Sequence, residues 1–204
     1  MRSRTEGNGQ PQEYHQTDVL EAGLSSPLLD LLGVRYIVMP ASPRRDQVEP
    51  RLARDLPVVY ADADVVVLEN ADALPRAWLV HAVVQKPVGE ALSLLGAGAI
   101  DPRRTALLEK PPSPMLADSA PSAADRVRIT EYAADRVRLE VEASSPGLLV
   151  LSDAYYPAWQ ARVDGVSTEV YAADVALRAV GVPIGRHTVE FQYASAALPL
   201  GSRV

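Results

Sequence analysis

The chain has 204 residues, a net charge of −6, 48% hydrophobic residues and no cysteine. This composition excludes a wholly disordered, collagen-like or coiled-coil chain, and the length allows one large domain or two small ones. Without cysteine the chain has no disulfide, no thiolate metal ligand and no cysteine nucleophile. The acidic charge argues against a surface that binds nucleic acid.

The N-terminal part of the sequence begins with a polar segment and continues with short helices. Residues 1–16 are rich in polar residues, glycine and proline, and predict a disordered leader. Apolar spacing in residues 17–32 predicts short helices, and Gly33 ends them. Residues 34–39 (VRYIVM) predict a buried strand. No apolar stretch is long enough for a membrane-spanning helix, and the N-terminus lacks the apolar core of a secretory signal.

A mixed α/β subdomain is predicted over residues 17–110. Two short β-rich runs, at 58–60 and 65–69, flank the sequence ADAD and predict a hairpin. A further strand is predicted at 74–80 and a short helix at 88–95. Four prolines follow in residues 111–124, so this segment is predicted to be a linker.

The C-terminal part, residues 125–204, changes to a period of two. Apolar residues alternate with Arg and Glu around Val127 and Val137, which is typical of half-buried strands. Residues 148–151 predict a central strand, and the pair Asp164–Gly165 predicts a two-residue hairpin turn. About seven strands at this spacing indicate an antiparallel β-sandwich of immunoglobulin-like or jelly-roll type. The predicted fold class is therefore α+β, mostly β.

Several blocks of the sequence, in one order, carry a resemblance to a known family. They include LLDLLGVRYI, VLEN, LPRA, LLVLSDAYYPAW, VDG, LRAV and VPIGRHTVEFQY. Together they span roughly residues 20–201 and resemble the C-terminal extracytoplasmic region of YfhO-type bacterial membrane proteins. Members of that family are polytopic and are similar to lipid-linked-sugar glycosyltransferases that modify cell-surface polymers.

The resemblance implies a place for the chain in a larger protein. Membrane helices would precede this region and a last one would follow it, and the region would lie on the extracytoplasmic face of the plasma membrane. The catalytic acid of such enzymes lies in an early loop between membrane helices, so the resemblance assigns no catalytic residue here. The implied partners are the protein's own membrane-embedded region and a cell-surface glycan or lipid-linked sugar.

Three aromatic residues, Tyr155, Tyr156 and Trp159, are candidates for glycan contact because aromatic faces stack on sugar rings. The alternative is that Trp159 anchors the core of the sandwich while one tyrosine caps a corner, and we favour this alternative.

Other polar residues are weaker candidates. Arg76 could bind an anionic group, although a structural ion pair is the favoured reading. His187 could be a base, but the sequence fixes no partner for it, and a turn-stabilising role is favoured. The strand-end acids Asp153, Asp164 and Asp174 show no spacing that indicates paired catalytic carboxylates. The pattern of histidines predicts no metal site, and no motif predicts a cofactor.

Three functional hypotheses follow. The leading one is a non-catalytic extracytoplasmic domain of a glycosyltransferase-like membrane protein. The second is a carbohydrate-binding β-sandwich module, and the third is a free-standing soluble hydrolase.

Overall fold

The structure, a computed structural model, describes residues 26–41, 56–116 and 118–194. The predicted leader at 1–16 and the first part of the predicted helical region lie outside the described residues. The described chain is mostly β with several antiparallel sheets and two short helices, which confirms the predicted fold class.

The first half of the described chain holds six strands and two helices. In chain order they are α1 (Leu28–Leu31), β1 (Tyr36–Pro40), β2 (Val58–Ala61), β3 (Val65–Glu69), β4 (Ala77–Val80), β5 (Ala82–Gln85), α2 (Val88–Gly96) and β6 (Thr105–Leu108). The predicted hairpin is confirmed, because β2 and β3 pair antiparallel. Helix α2 lies at the predicted position. The parallel pairing of β5 with β6 around this helix was not predicted.

The second half contributes eight strands. They are β7 (Arg126–Tyr132), β8 (Arg136–Ala143), β9 (Gly147–Ala154), β10 (Trp159–Val163), β11 (Val166–Thr168), β12 (Tyr171–Ala173), β13 (Leu177–Val182) and β14 (Gly185–Tyr193). The Asp164–Gly165 turn joins β10 to β11 as predicted, with Val163 opposite Val166. Both turn residues have positive φ, 51° and 81°, as the favoured two-residue hairpin turn requires.

Two sheets form a sandwich. One has the strand order β11-β10-β14-β8-β7 and the other β12-β13-β9-β4. Every strand pair within them is antiparallel. A cluster of buried apolar side chains from both sheets, including Leu139, Leu149, Val180 and Phe191, forms the core between them. Burial of this apolar surface is the main stabilising contribution to the sandwich.

A third layer covers the other face of the four-stranded sheet. Side chains of that face, such as Trp78, Leu148 and Ala179, share a second apolar cluster with Leu95 of α2 and Leu107 of β6. The four-stranded sheet is therefore buried on both faces. This explains why residues 148–151 form a continuous apolar run, as the predicted central strand requires.

Strand β4 connects the two predicted units. It pairs with β9 at the edge of the four-stranded sheet, although its residues belong to the predicted 17–110 subdomain. After the single residue His81 the chain continues as β5 in the parallel pair. A boundary at the 111–124 segment therefore does not separate the strands of the sandwich from the rest of the chain.

The 111–124 segment, predicted to be a linker, packs against the sandwich. A Cβ built on Gly181 of β13 would lie 1.9 Å from the backbone oxygen of Ser113. The backbone of the segment therefore crosses directly over β13 at a place where only glycine leaves room.

A three-stranded sheet, ordered β1-β3-β2, forms around a small apolar cluster that contains Val66 and Leu68. The prediction of a buried strand at 34–39 was partly wrong. Strand β1 is at the edge of this sheet, and its Tyr36 and Val38 side chains are exposed. A continuous apolar run cannot by itself distinguish a strand buried on both faces from an edge strand.

Candidate functional site

Two of the three predicted aromatic candidates, Tyr156 and Trp159, share a neighbour, because the ring of Tyr193 lies 6.3 Å from that of Tyr156 and 5.4 Å from that of Trp159. Tyr155 and Tyr156 are exposed in the loop between β9 and β10. Trp159 begins β10, is half-buried, and packs against the sandwich core. Its ring contacts that of Tyr193 edge-on, with 5.4 Å between the centroids. Trp159 lines one of the two cavities described below, and Tyr155 and Tyr156 line neither of them.

A buried arginine covers one face of that tryptophan. Arg178 lies on β13 and is only 3% exposed. Alternation along the strand directs it to the inner face of the sandwich, with Val180 and Val182. Its guanidinium carbon lies 3.7 Å from the centroid of the Trp159 ring and 5.7 Å from that of Phe191 on the facing sheet. Such stacking is a strong form of cation–π contact because both groups are largely removed from water.

Asp153, at the end of β9, is the counter-charge of this arginine. Arg178 Nη2 donates a hydrogen bond to Asp153 Oδ2 at 2.6 Å. The other carboxylate oxygen accepts the Tyr132 hydroxyl at 2.8 Å and Arg76 Nη1 at 3.3 Å. Arg76 also donates to the carbonyl oxygen of Ser152 at 2.9 Å. One carboxylate is therefore shared by two guanidinium groups and a phenol.

Burial and the contacts with Asp153 shift the pKa values of Tyr132 and Arg178. Partial burial and the hydrogen bond to Asp153 raise the pKa of Tyr132, so the phenol stays protonated and donates. Burial lowers the pKa of Arg178, and the charge of Asp153 opposes that shift. A guanidinium keeps its proton even so. The cluster holds two positive charges, on Arg76 and Arg178, and one negative charge, on Asp153. It therefore has one excess positive charge.

These residues surround a pocket of about 380 Å³ at the end of the sandwich. Two aromatic residues, Tyr132 and Trp159, and two charged residues, Asp153 and Arg178, line it. The remaining lining residues, Ala133, Ala134 and Ala154, are small. Ligand sites in proteins combine apolar walls with a few fixed polar groups in this way, and the volume lies at the small end of their range. We call this site the end pocket.

The sequence did not single out three of the residues that define the end pocket. Arg178 is the one charged residue in the otherwise apolar strand LRAVGV, and a lone charge in such a strand could have indicated a buried site. Asp153 was considered only as a strand-end acid. Tyr132 carried no signal, because the turn that brings it here is ordinary in sequence.

His187, near the start of β14, contacts the hairpin turn between β10 and β11. Its Nδ1 donates to Asp164 Oδ2 at 2.6 Å, and Asp164 Oδ1 accepts the Thr188 amide at 2.8 Å. Burial lowers the pKa of His187, but the Asp164 carboxylate and the Ile184 carbonyl oxygen together outweigh it and the net shift is upward. The same contact lowers the pKa of Asp164. The geometry is that of a turn held by a side-chain pair.

His187 and Asp164 also line a second, broader concavity of about 650 Å³, whose other lining residues come from β7, β8 and β14 of the five-stranded sheet. The charged residues there are paired with one another, as Arg128 is with Glu140 and Arg186 with Glu142. Such exposed pairs are typical of a solvated sheet face.

Asp174 is buried in the loop between β12 and β13. Its Oδ1 accepts the Leu107 amide at 2.8 Å, while Oδ2 is buried without a hydrogen-bond partner among the described residues. Burial raises the pKa of this carboxyl to about 7, and the Leu107 amide only partly opposes the shift. Asp174 lines neither cavity.

A serine, a histidine and an aspartate meet where the 111–124 segment joins the sandwich. His81 Nε2 donates to Asp125 Oδ2 at 2.9 Å, and Nδ1 lies 3.0 Å from Ser145 Oγ and 3.1 Å from the Pro146 carbonyl oxygen. These are the residue types of a hydrolase triad. His81 is completely buried, however, and none of the three lines a described cavity. The contacts tie the segment to the start of β9.

Within the described ranges no group of His, Asp and Glu side chains is arranged to hold a metal ion. In the same ranges no helix is both long and apolar enough to cross a membrane. Comparisons with models of protein families, with curated protein sequences and with solved structures gave no match.

Proposed function

We propose that this chain is a non-catalytic, glycan-binding β-sandwich and that it belongs to the extracytoplasmic part of a bacterial glycosyltransferase-like membrane protein. The end pocket is the single observation that supports glycan binding. It combines two aromatic rings with a fixed carboxylate and a fixed guanidinium, the groups with which proteins contact the apolar faces and the hydroxyls of sugars.

Non-catalytic binding is favoured over hydrolysis by the positions of the acids. Glycoside hydrolysis generally needs two carboxyl groups on either side of one bond. Among the described residues, Asp153 is the only carboxylate that lines the end pocket, and it is already engaged by Arg178, Arg76 and Tyr132. Asp164 is engaged in a turn and Asp174 is buried.

The membrane setting rests on the resemblance of the sequence blocks to YfhO-type proteins. In that setting the sandwich would hold or orient an acceptor glycan or a lipid-linked sugar beside the protein's own membrane-embedded region. The stretch LLVLSDAYYPAW, which is among the resembling blocks, also contains Asp153 and Trp159 of the end pocket.

Glycan binding is tested with the purified chain on a glycan array, followed by calorimetric titration of the best ligand. We expect binding by the wild-type chain and its loss in Trp159→Ala, because this change removes an aromatic wall and the support of Arg178. Trp78→Phe is the matched control, since Trp78 belongs to the opposite layer and does not line the end pocket. Binding that survives Trp159→Ala contradicts the proposal, as does hydrolysis or transfer of sugar by the purified chain alone.

The membrane setting is tested on the chromosome of the source organism. Hydrophobic segments encoded in the same reading frame, before and after this region, are expected. A topology reporter fused next to this region should then be active outside the cytoplasm. A reporter that is active only in the cytoplasm would contradict the extracytoplasmic assignment.

A further inference from the structure

We propose that the end pocket selects acidic saccharides, with Arg178 binding the carboxylate or phosphate of the sugar. This inference rests on the proposed glycan binding and specifies its ligand class. The shared chemistry is an oxyanion attached to a sugar ring.

The first argument is the hydrogen bonding of Arg178. A guanidinium has five N–H donors, and burial of unpaired donors is unfavourable. Nη2 bonds to Asp153, whereas Nε and Nη1 are buried with no acceptor among the described residues. An arginine that is 3% exposed therefore lines the end pocket with part of its donor capacity unused.

The second argument is the charge of the cluster. Asp153 neutralises only one of the two guanidinium groups that it contacts. Lys110, Arg128 and Arg138, by contrast, each have a carboxylate partner of their own. An oxyanion in the end pocket would provide the second negative charge, and the planar guanidinium is suited to carboxylate and phosphate oxygens.

The third argument is the shape of the pocket. Ala133, Ala134 and Ala154 leave space in front of Arg178, beside the rings of Tyr132 and Trp159. A volume of about 380 Å³ is suited to one sugar ring with its substituent. Stacking of Arg178 on Trp159 fixes the plane of the guanidinium, so its orientation is set before a ligand arrives.

The test compares glucuronic acid and glucose 6-phosphate with glucose, and also with inorganic phosphate and acetate, by calorimetric titration of the full chain. We expect dissociation constants for the two acidic sugars at least ten times lower than those for glucose and for the two simple anions. Comparing the two acidic sugars shows which oxyanion is preferred. The preference should weaken as the salt concentration rises.

Arg178→Gln should reduce the preference for acidic over neutral sugar at least tenfold. Arg128→Gln, in the other concavity, is the matched control and should leave the preference unchanged. Because Arg178→Gln can also impair folding, Ala134→Trp provides an independent test. It fills the end pocket from an exposed turn position and should abolish binding of the acidic sugars.

The possible failures are distinguishable. If no saccharide binds, on the array or in titration, the proposed function fails together with this inference. If glucose binds as tightly as glucuronic acid, only this inference fails. If the acidic sugars still bind to Ala134→Trp, the end pocket is not their binding site, and the proposed glycan binding there fails together with this inference. If inorganic phosphate binds as tightly as glucose 6-phosphate, the pocket is a plain anion site and the inference is also overturned.

Discussion

Arg178 and Asp153 form an ion pair at the inner face of the sandwich, with 2.6 Å between Nη2 and Oδ2. The arginine is almost fully buried there, so the aspartate is its only charged partner among the described residues. The pair therefore contributes to the stability of the sandwich as well as to the end pocket.

Replacement of Asp153 should show this dual role. Asp153→Ala leaves a buried guanidinium without a counter-charge, and we expect the free energy of unfolding to fall by about 3 to 5 kcal/mol. Urea denaturation followed by circular dichroism measures it. Glu140→Ala is the control, because it breaks an exposed pair with Arg128 and should change stability by no more than about 1 kcal/mol. Equal effects of the two substitutions would contradict the expectation.

Asp174 should make the protein less stable as the pH rises. Its pKa is about 7 in the folded protein and 3.8 in its ordinary state. The folded state therefore binds more protons between about pH 4 and pH 7, and stability falls across this range by up to roughly 4 kcal/mol. Asp174→Asn keeps an acceptor for the Leu107 amide but cannot ionise, so this part of the pH dependence should disappear.

Denaturation midpoints of wild type and Asp174→Asn, measured at half-unit steps from pH 4 to pH 8, provide the comparison. Asp135→Asn, at an exposed turn position, is the control. If Asp174→Asn retains the wild-type slope, Asp174 is not the group responsible.

Asp125 should have the opposite effect from Asp174, because its contribution to stability is lost as the pH falls into the acid range. Partial burial opposes its ionisation, but hydrogen bonds from the amides of Ser144 and Ser122 and from His81 outweigh this and lower its pKa to about 2. Its stabilising contribution is present above the ordinary pKa of 3.8 and is lost as the pH falls through about 2. Asp125→Ala removes these contacts at every pH and should cost about 3 kcal/mol at pH 7.

The control for this change is Asp118→Asn, since Asp118 is exposed in the neighbouring 111–124 segment and asparagine tolerates its φ of 51°. Limited proteolysis gives a second readout, because detachment of the 111–124 segment should expose new cleavage sites within it. An Asp125→Ala variant that resists proteolysis like wild type would show that other contacts hold the segment.

Gly181 should tolerate no side chain. Alanine at this position would place its Cβ 1.9 Å from the Ser113 backbone oxygen, so either the crossing segment or β13 must move. We expect Gly181→Ala to lower the free energy of unfolding by about 3 kcal/mol or more. Gly89→Ala is the matched control in α2, where a Cβ meets no atom within 4 Å, and should change stability by less than about 1 kcal/mol. Thermal unfolding of both variants tests the difference.

The sequence predicts those features of this protein that depend on residues close together in the chain. The Asp164–Gly165 turn, the hairpin of β2 and β3, helix α2 and the alternating strands β7 and β8 all follow from turn residues and periodicity within a few residues. Pairing of β4 with β9 does not, because the apolar character of β4 is compatible with many partners.

The end pocket is non-local for the same reason. Trp159 was singled out for its aromatic type, and its partner Arg178 was not, because only the stacking of the two sheets brings them within 3.7 Å. Tyr132 reaches Asp153 from the end of β7, on the facing sheet. No spacing rule in the sequence encodes a contact that depends on how two sheets are stacked.

The pairing of β4 with β9 also has a consequence for how the chain folds. During synthesis β4 is made well before β9, its pairing partner. Strand β4 is therefore unpaired on that side until the residues between the two strands and β9 itself have been synthesised. A sheet closed by so distant a contact forms late and slowly, because the loop between the strands must be ordered first. Chain termination before β9 would therefore leave an apolar strand uncovered, and such products should depend on chaperones or be degraded.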